Sequence, residues 1–451
     1  MMQYSRNTIV ALASAAGRGG VAVLRLSGAG AAAALEKITG KSCPAPRYAA
    51  RRRFYHPQDG GLLDDGLVLW FPGPASFTGE DVVELHCHGG RAVTDSLLAA
   101  LCACDDVRPA DAGEFSRRAF HNGKLDLTQA EAIADLVDAE TLAQQRQALR
   151  QMDGALARLY DGWRHDLIRS LAHLEAYIDF PDEDLPAEVD EGARAGIRSL
   201  LQAMRGHLAD GHRGERLRDG LAVAVIGPPN AGKSSLTNSL ARREAAIVSA
   251  TAGTTRDVVE VHLDLGGYPV ILADTAGLRE GSDPIEAEGI RRARARAETA
   301  DLKIAVFDGA SWPALDTHTV NLVDDSTVVV INKGDCLPAD QHQTCPTVAG
   351  RPAQVISVHS GQGMDAFLSA LTAEVQTRLE GQGSAPALTR ARHRSALEDC
   401  ADCLSRSLQA PALELMAEDL RLATRALGRI TGRVDVEDLL DVIFRDFCIG
   451  K

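Results

Sequence analysis

Three short motifs in this 451-residue chain have the residue types and spacing to hold a nucleoside triphosphate. Gly227-Pro228-Pro229-Asn230-Ala231-Gly232-Lys233-Ser234 fits the pattern G-x-x-x-x-G-K-S/T, after an apolar run over 221–226 and before a helical pattern over 235–241. In that context the glycines let backbone N–H groups turn onto phosphates, and Asn230, Ala231, Gly232, Lys233, Ser234 and Ser235 form the cradle. Lys233 reaches the terminal phosphates, while Ser234 offers its hydroxyl to Mg²⁺. Asp274-Thr275-Ala276-Gly277 closes a second apolar run, where Asp274 is placed to hold the metal through water and the Gly277 N–H faces the γ-phosphate. Asn332-Lys333-Gly334-Asp335 follows a third run, and the Asp335 carboxylate matches the N1–H and 2-amino donors of guanine, an edge adenine does not present.

Motifs of this kind need strands to deliver them and helices to receive them. Between 219 and 376, apolar runs at 221–226, 270–273, 303–307, 328–331 and 354–358 alternate with helical stretches, which predicts a largely parallel sheet with crossover helices. Residues 1–122 carry short apolar runs punctuated by Gly and Pro, the pattern of an α+β domain. Apolar residues from 149 to 178 keep steps of three or four and predict one long amphipathic helix; beyond Leu388 the chain is helical again. The helical parts at 123–218 and 377–451 are expected to pack as one discontinuous domain around the inserted 219–376 domain. The stretch 179–191 holds seven acidic residues and no basic one, and reads as a solvated connection.

Composition narrows the function classes. The net charge is −14, from 48 Lys plus Arg against 62 Asp plus Glu, which excludes a protein that coats a polyanion over its whole surface. Nine cysteines form no paired framework, and no apolar run approaches the ~18 to 20 residues of a membrane span, so a cytoplasmic protein is expected. His86-Cys87-His88 lacks a defined fourth ligand and is not assigned to a metal. Cys400 and Cys403 fall within a helical pattern and are not assigned chemistry. The arginines at 51–53, and Arg291, Arg292, Arg294 and Arg296, have the charge to meet nucleic-acid phosphates, but read first as solvated faces.

In their order and strand context the three motifs resemble the translation-factor-like class of P-loop GTPases. Ser357, Val358 and His359 stand where that class has Ser-Ala-Lys or Ser-Ala-Arg beside the base, with Val358 and His359 departing from it. Gly253-Thr254-Thr255-Arg256-Asp257 falls at switch I, with Thr255 a second hydroxyl for Mg²⁺. Leu278 follows the D-x-x-G motif where many GTPases have a water-orienting glutamine. Glu280, Asp283, Glu286 and Glu288 are the nearby acidic alternatives, and neither Arg256 nor Arg279 is identifiable as an arginine finger. The Asn230 carbonyl is suited to hold a monovalent cation against the phosphates.

Residues 227–235, 253–257 and 274–280, together with Phe447-Cys448-Ile449-Gly450-Lys451, are similar to the MnmE (TrmE) family of tRNA modification GTPases. Gly17-Arg18-Gly19-Gly20-Val21, Phe77-Thr78-Gly79-Glu80-Asp81 and Lys124-Leu125-Asp126-Leu127-Thr128-Gln129 extend the resemblance over the whole chain. The resemblance implies a multidomain fold: an N-terminal α+β domain like tetrahydrofolate-binding folds, a discontinuous helical domain and an inserted Ras-like P-loop domain. It implies a GTPase activated when two G domains meet across K⁺, held by Asn230 and by groups at Ser249, Thr251 and Thr254. It selects Glu286 as the water-orienting residue. A 5,10-methylene- or 5-formyl-tetrahydrofolate would contact Arg25, Glu84, Lys124 and Lys451, with Cys448 a candidate for chemistry at the one-carbon unit. The implied assembly is a homodimer that joins an FAD-dependent partner, MnmG, in a heterotetramer or larger complex. That complex adds an aminomethyl-type group at C5 of the wobble uridine in certain tRNAs. A GTP-controlled assembly or ribosome-biogenesis switch is the competing reading, and it needs neither the folate-type domain nor the Cys448-Ile449-Gly450-Lys451 tail.

Overall fold

The β-type runs at the start of the chain assemble into an α+β domain in the computed structural model, which describes residues 7–179, 187–243, 260–274, 297–337, 346–380, 386–434, 437–445 and 447–450. Six strands form its sheet: β1 (Thr8–Leu12), β2 (Gly19–Ser27), β3 (Ala50–Tyr55), β4 (Leu62–Phe71), β5 (Val82–Gly89) and β6 (Val107–Pro109). Their order is β3-β4-β5-β2-β1-β6, antiparallel except for the β1–β6 pair. Helices Ala31–Thr39 and Arg91–Cys102 add Leu35, Ile38, Leu97 and Leu101 to a core with Leu24, Leu26, Phe54 and Leu85. The arginines at 51–53 lie on β3, the edge strand, and Arg51 and Arg53 are solvent-exposed and paired with Asp65, which blunts the edge against pairing.

The chain divides into two compact units, Met1–Ala134 with Gln151–Arg198 and Asp402–Lys451, and Asp135–Arg150 with Ser199–Ala401. In the first, helix Ala155–Asp179 packs against Leu413–Thr431, and Leu127, Ala130, Leu440, Phe444 and Phe447 bury a smaller cluster. The predicted single helix over 149–178 is two, Leu142–Met152 and Ala155–Asp179, broken by a turn at Gly154 with φ +76°. Their apolar periodicity runs on through the turn, so spacing alone could not show the break. The acidic stretch also departs from expectation: residues from Ala187 onward belong to helix Ala187–Leu208.

The second unit carries the sheet β7 (Leu221–Ile226), β8 (Glu260–Leu265), β9 (Tyr268–Asp274), β10 (Leu302–Asp308), β11 (Thr327–Asn332), β12 (Thr347–Val348) and β13 (Arg351–Val355). Its order is β12-β13-β11-β10-β7-β9-β8, parallel through the five central strands and antiparallel at both edges. The central strands are apolar on both faces because helices Lys233–Arg243 and Met364–Leu379 cover one, while Ala297, Trp312, Leu322 and Leu337 cover the other. The 270–273 run became β9, whereas its antiparallel partner β8 escaped the sequence reading. The turn between them is held in part by residues far away in sequence: the Ala143 N–H donates to the Gly267 carbonyl at 3.0 Å, and His262 lies 3.5 Å from Glu140.

Charge, as well as apolar packing, fixes the N-terminal domain. Arg118, 5% exposed, donates to Glu114 at 2.9 Å, to Glu80 at 3.0 Å and to the Asn7 carbonyl at 3.0 Å. Arg108 closes on Glu114 through two bonds of 2.7 and 2.8 Å. Burial pushes the Glu114 carboxyl up, but the Arg108 guanidinium, the Asp111 N–H and Arg118 outweigh it and hold it below its usual range. Its contribution to stability is therefore complete above the unfolded-state value and is lost as pH falls through the lowered folded-state value. Arg118→Ala removes one of the two guanidiniums that Glu114 holds and the partner of the partly exposed Glu80, while Arg108 keeps Glu114 paired, and is expected to cost about 1–3 kcal/mol. Amide hydrogen exchange across β1 to β6 in the full-length protein measures that loss, and the variant should show a flatter acid dependence than the parent.

Candidate nucleotide site and the C-terminal tail

β7 ends at Ile226 and the chain turns at once into the loop 227–232 and then helix Lys233–Arg243, so the loop's N–H groups and the helix N-terminus share one end of the sheet. Gly232 sits at φ +93°, and a Cβ there would fall 2.2 Å from the Asn332 Nδ2. Only glycine allows that approach. Lys233 donates from Nζ to the Gly227 and Pro228 carbonyls at 2.9 and 2.8 Å, which holds its ammonium group over the loop. Asn230, in the left-handed region at φ +61°, and Ser234 are solvent-exposed, and Ala231 is buried beneath them.

The base-reading segment is tied to that loop by one amide. Asn332, 4% exposed, donates from Nδ2 to the Ala231 carbonyl at 2.9 Å and accepts from the Val358 N–H at 3.2 Å through Oδ1. The Gly334 N–H donates to the Ile356 carbonyl at 2.8 Å, so the loops after β11 and β13 run together. Lys333 bonds Asp308 at 2.6 Å, at the end of β10; no sequence motif marked Asp308 for this work. Asp335 faces solvent, and the Ser357 hydroxyl, its own backbone N–H and His359 hold its carboxyl below the usual range. It is thus an ionised acceptor at neutral pH, the form that guanine's two donors require.

β9 pairs with β7 so that Asp274 lies opposite Val225, two residues before the loop. Ser249, Thr251, Thr254, Thr255, Thr275, Ala276, Gly277, Glu286 and Lys451 lie outside the described residues. So do Arg291, Arg292, Arg294 and Arg296.

In the N-terminal domain Arg25 and Glu84 are cross-strand partners of β2 and β5, and their side chains meet at 2.9 Å with 24% and 18% exposure. Pattern alone would make them surface charges; the sheet half-buries them. The Arg25 guanidinium carbon lies 5.8 Å from the Phe77 ring centre and 5.9 Å from that of Phe115, and His86 approaches Glu84 at 3.6 Å. Phe115 carried no signal in the sequence beyond its hydrophobicity. Lys124 is exposed and donates to the Pro74 carbonyl at 3.0 Å. Strand alternation separates the neighbours of His86: Cys87 points into the core, where burial pushes its thiol up to about 11, while His88 bonds Asp64 at 2.7 Å.

The last residues of the chain return to this domain. Ile449 forms an antiparallel bridge with Ala112, and the Gly113 N–H donates to the Cys448 carbonyl. Gly450, at φ +101°, packs so closely that a Cβ would stand 2.3 Å from the Leu12 carbonyl oxygen. Leu12 pairs with Leu24, the neighbour of Arg25, and Cys448 is left exposed beside Gly113. Cys400 and Cys403, in contrast, are buried in helix Ala391–Ser407.

Comparison with known proteins agrees with this arrangement. The family described as the GTP-binding protein TrmE N-terminus matches residues 8–124, and the MnmE helical domain matches residues 127–448. A tRNA modification GTPase MnmE from Paramagnetospirillum magneticum is 59% identical over 98% of this chain and 99% of its own. One from Rhodospirillum rubrum is 59% identical over 99% of both. The mitochondrial 5-taurinomethyluridine-(tRNA) synthase subunit GTPB3 of Danio rerio is 49% identical over 99% of this chain and 93% of its own. With a P-loop domain on one sheet, the TrmE N-terminal family matched on the other and relatives matched nearly end to end, the chain belongs to the MnmE/TrmE family of tRNA modification GTPases.

Proposed function

We propose that this GTPase works as a homodimer whose G domains close on each other across K⁺, and that closure drives modification of C5 of the wobble uridine by a complex with an FAD-dependent MnmG partner. The observation that carries the reading is the return of the C-terminal segment to β1, the strand that pairs with the one bearing Arg25, an arrangement a simple nucleotide switch does not need. Domain limits of 1–122, 123–218, 219–376 and 377–451 are part of the proposal, as is a cytoplasmic location. No helix among the described residues is long and apolar enough to cross a membrane.

The residues present fit the groups the reading requires. A half-buried carboxylate flanked by a guanidinium and aromatic rings suits a pterin, whose donor edge pairs with Glu84 and whose ring stacks. Lys124 and Lys451 would pair the glutamate tail of 5,10-methylene- or 5-formyl-tetrahydrofolate, and the folate supplies the one-carbon unit when bound. Ser234 and Thr255 are suited to Mg²⁺; Asn230, Ser249, Thr251 and Thr254 are suited to K⁺, and these cations neutralise phosphate charge when bound. In the reading, Lys233 leaves its carbonyl partners for the phosphates, Asp335 orients the base, Val358 and His359 border it, and Glu286 orients the attacking water. Cys448, exposed at the folate edge, is the group we place in the modification chemistry.

Three measurements test this. Asp335→Asn replaces two charge-assisted acceptor contacts by one acceptor and one donor; GTP binding should weaken by at least about a hundredfold, about 3 kcal/mol, and xanthosine triphosphate should be gained. Glu286→Ala should bind GTP normally yet lose the hydrolysis that the parent shows faster in K⁺ than in Na⁺; equal parental rates in the two salts would remove the cation from the mechanism. Mass spectrometry of wobble uridines in a strain lacking the gene should show hypomodified nucleosides, restored by the parent but not by Cys448→Ser, whose GTPase rate should be unchanged.

A further inference from the structure

Helix Leu413–Thr431 carries arginine at 421, 425 and 429, and Arg433 continues the step of four just beyond its end. That spacing sets them along one face. The neighbouring helix Ala155–Asp179 runs antiparallel to it, with Arg433 gripping Asp161 through two bonds of 2.8 and 2.7 Å and Arg421 meeting Glu175 at 2.9 Å. This register brings His165 level with Arg429 and Arg169 level with Arg425. Arg158, His165 and Arg169 are exposed, share the outward face of their helix, and border the ladder.

The carboxylates account for only part of this charge. Asp161 and Glu175 hold the two ends, whereas Arg425, exposed at the centre, makes no ion pair among the described residues. Arg169 approaches the His165 Nε2 at 3.2 Å, and Arg158 donates to the Asp153 backbone carbonyl, so neither of these contacts is with a carboxylate. The two helices together hold six arginines against seven carboxylates, so the positive charge of the shared face is confined to its centre, at Arg425 and Arg169. From 421 to 429 the ladder is about 12 Å long, the length over which one strand of a duplex presents three to four phosphates. Guanidinium forks match phosphate oxygens in pairs and read no sequence, as suits contacts shared by several tRNAs.

We infer that this two-helix arginine surface docks the phosphodiester backbone of tRNA; the inference rests on the tRNA-modifying role proposed above. It places the nucleic-acid contact on a local basic face of an otherwise acidic chain.

Arg425→Glu and Arg169→Glu, alone and together in the full-length protein, test it with an unmodified tRNA transcript titrated at several KCl concentrations. Each change should weaken binding about fivefold or more near 0.15 M salt and lower the slope of log K against log salt by about one. GTP hydrolysis without RNA should stay at the parental rate, and Arg91→Glu, a fully exposed charge reversal on another helix, should leave tRNA binding as it was. Unchanged affinity and slope in the double variant, or no salt-dependent tRNA binding by the parent, overturns the inference. So does intact tRNA binding with loss of the flavoprotein partner, which would assign the surface to protein. Failure of the modifying role itself would show separately, as normal wobble uridines in the strain lacking the gene.

Discussion

One buried carboxamide holds the nucleotide site together. Asn332 donates to Ala231, 101 positions earlier in the chain, and accepts from Val358, 26 positions later. Both bonds are made at 4% exposure, where an unpaired amide costs more than in water. The phosphate loop, the base-reading loop and the segment after β13 are thereby set against one another before a nucleotide arrives. Gly232 follows from the same contact, since any side chain there would occupy the space of the Asn332 amide.

The N-terminal domain uses a comparable device with full charges. Glu114 is gripped by Arg108 and Arg118, and Arg118 reaches on to Glu80, so the start of helix Glu114–His121 is locked to the loop before β5. Phe115, the next residue, is carried against Arg25, and Gly113, the residue before, receives the C-terminal tail. A short stretch of chain therefore couples the domain's buried ion network, its half-buried Arg25–Glu84 pair and the exposed Cys448.

Much of this was legible in the residues. Strand runs around 221–226, 303–307 and 328–331 became β7, β10 and β11 because a parallel strand covered on both faces must be continuously apolar, a pattern that needs no partner to be recognised. The helix break at Gly154 was not, because the apolar spacing continues across it. β8 lacks an uninterrupted apolar run, since Glu260–Leu265 alternates instead, and beside the local Asp264 bond its turn takes a second one from Ala143, which no local pattern links to Gly267. Arg25 and Glu84 looked like surface charges, since burial of an ion pair is set by the strands and rings around it.

The sequence by itself determined that the chain is a GTPase, because the phosphate-loop motif and the Asn332-Lys333-Gly334-Asp335 motif are local: a few consecutive residues carry both the backbone shape and the polar groups. It also determined the family, through motifs distributed over the whole length. Only the tertiary structure decided what meets what across long separations: Asn332 with Ala231, Ile449 with Ala112, and the arginines of Leu413–Thr431 with the helix that begins at Ala155. The physical reason is that hydrogen bonds and ion pairs act over a few ångströms. Their partners are fixed by how helices and strands pack, and that packing is a property of the folded chain rather than of any stretch within it.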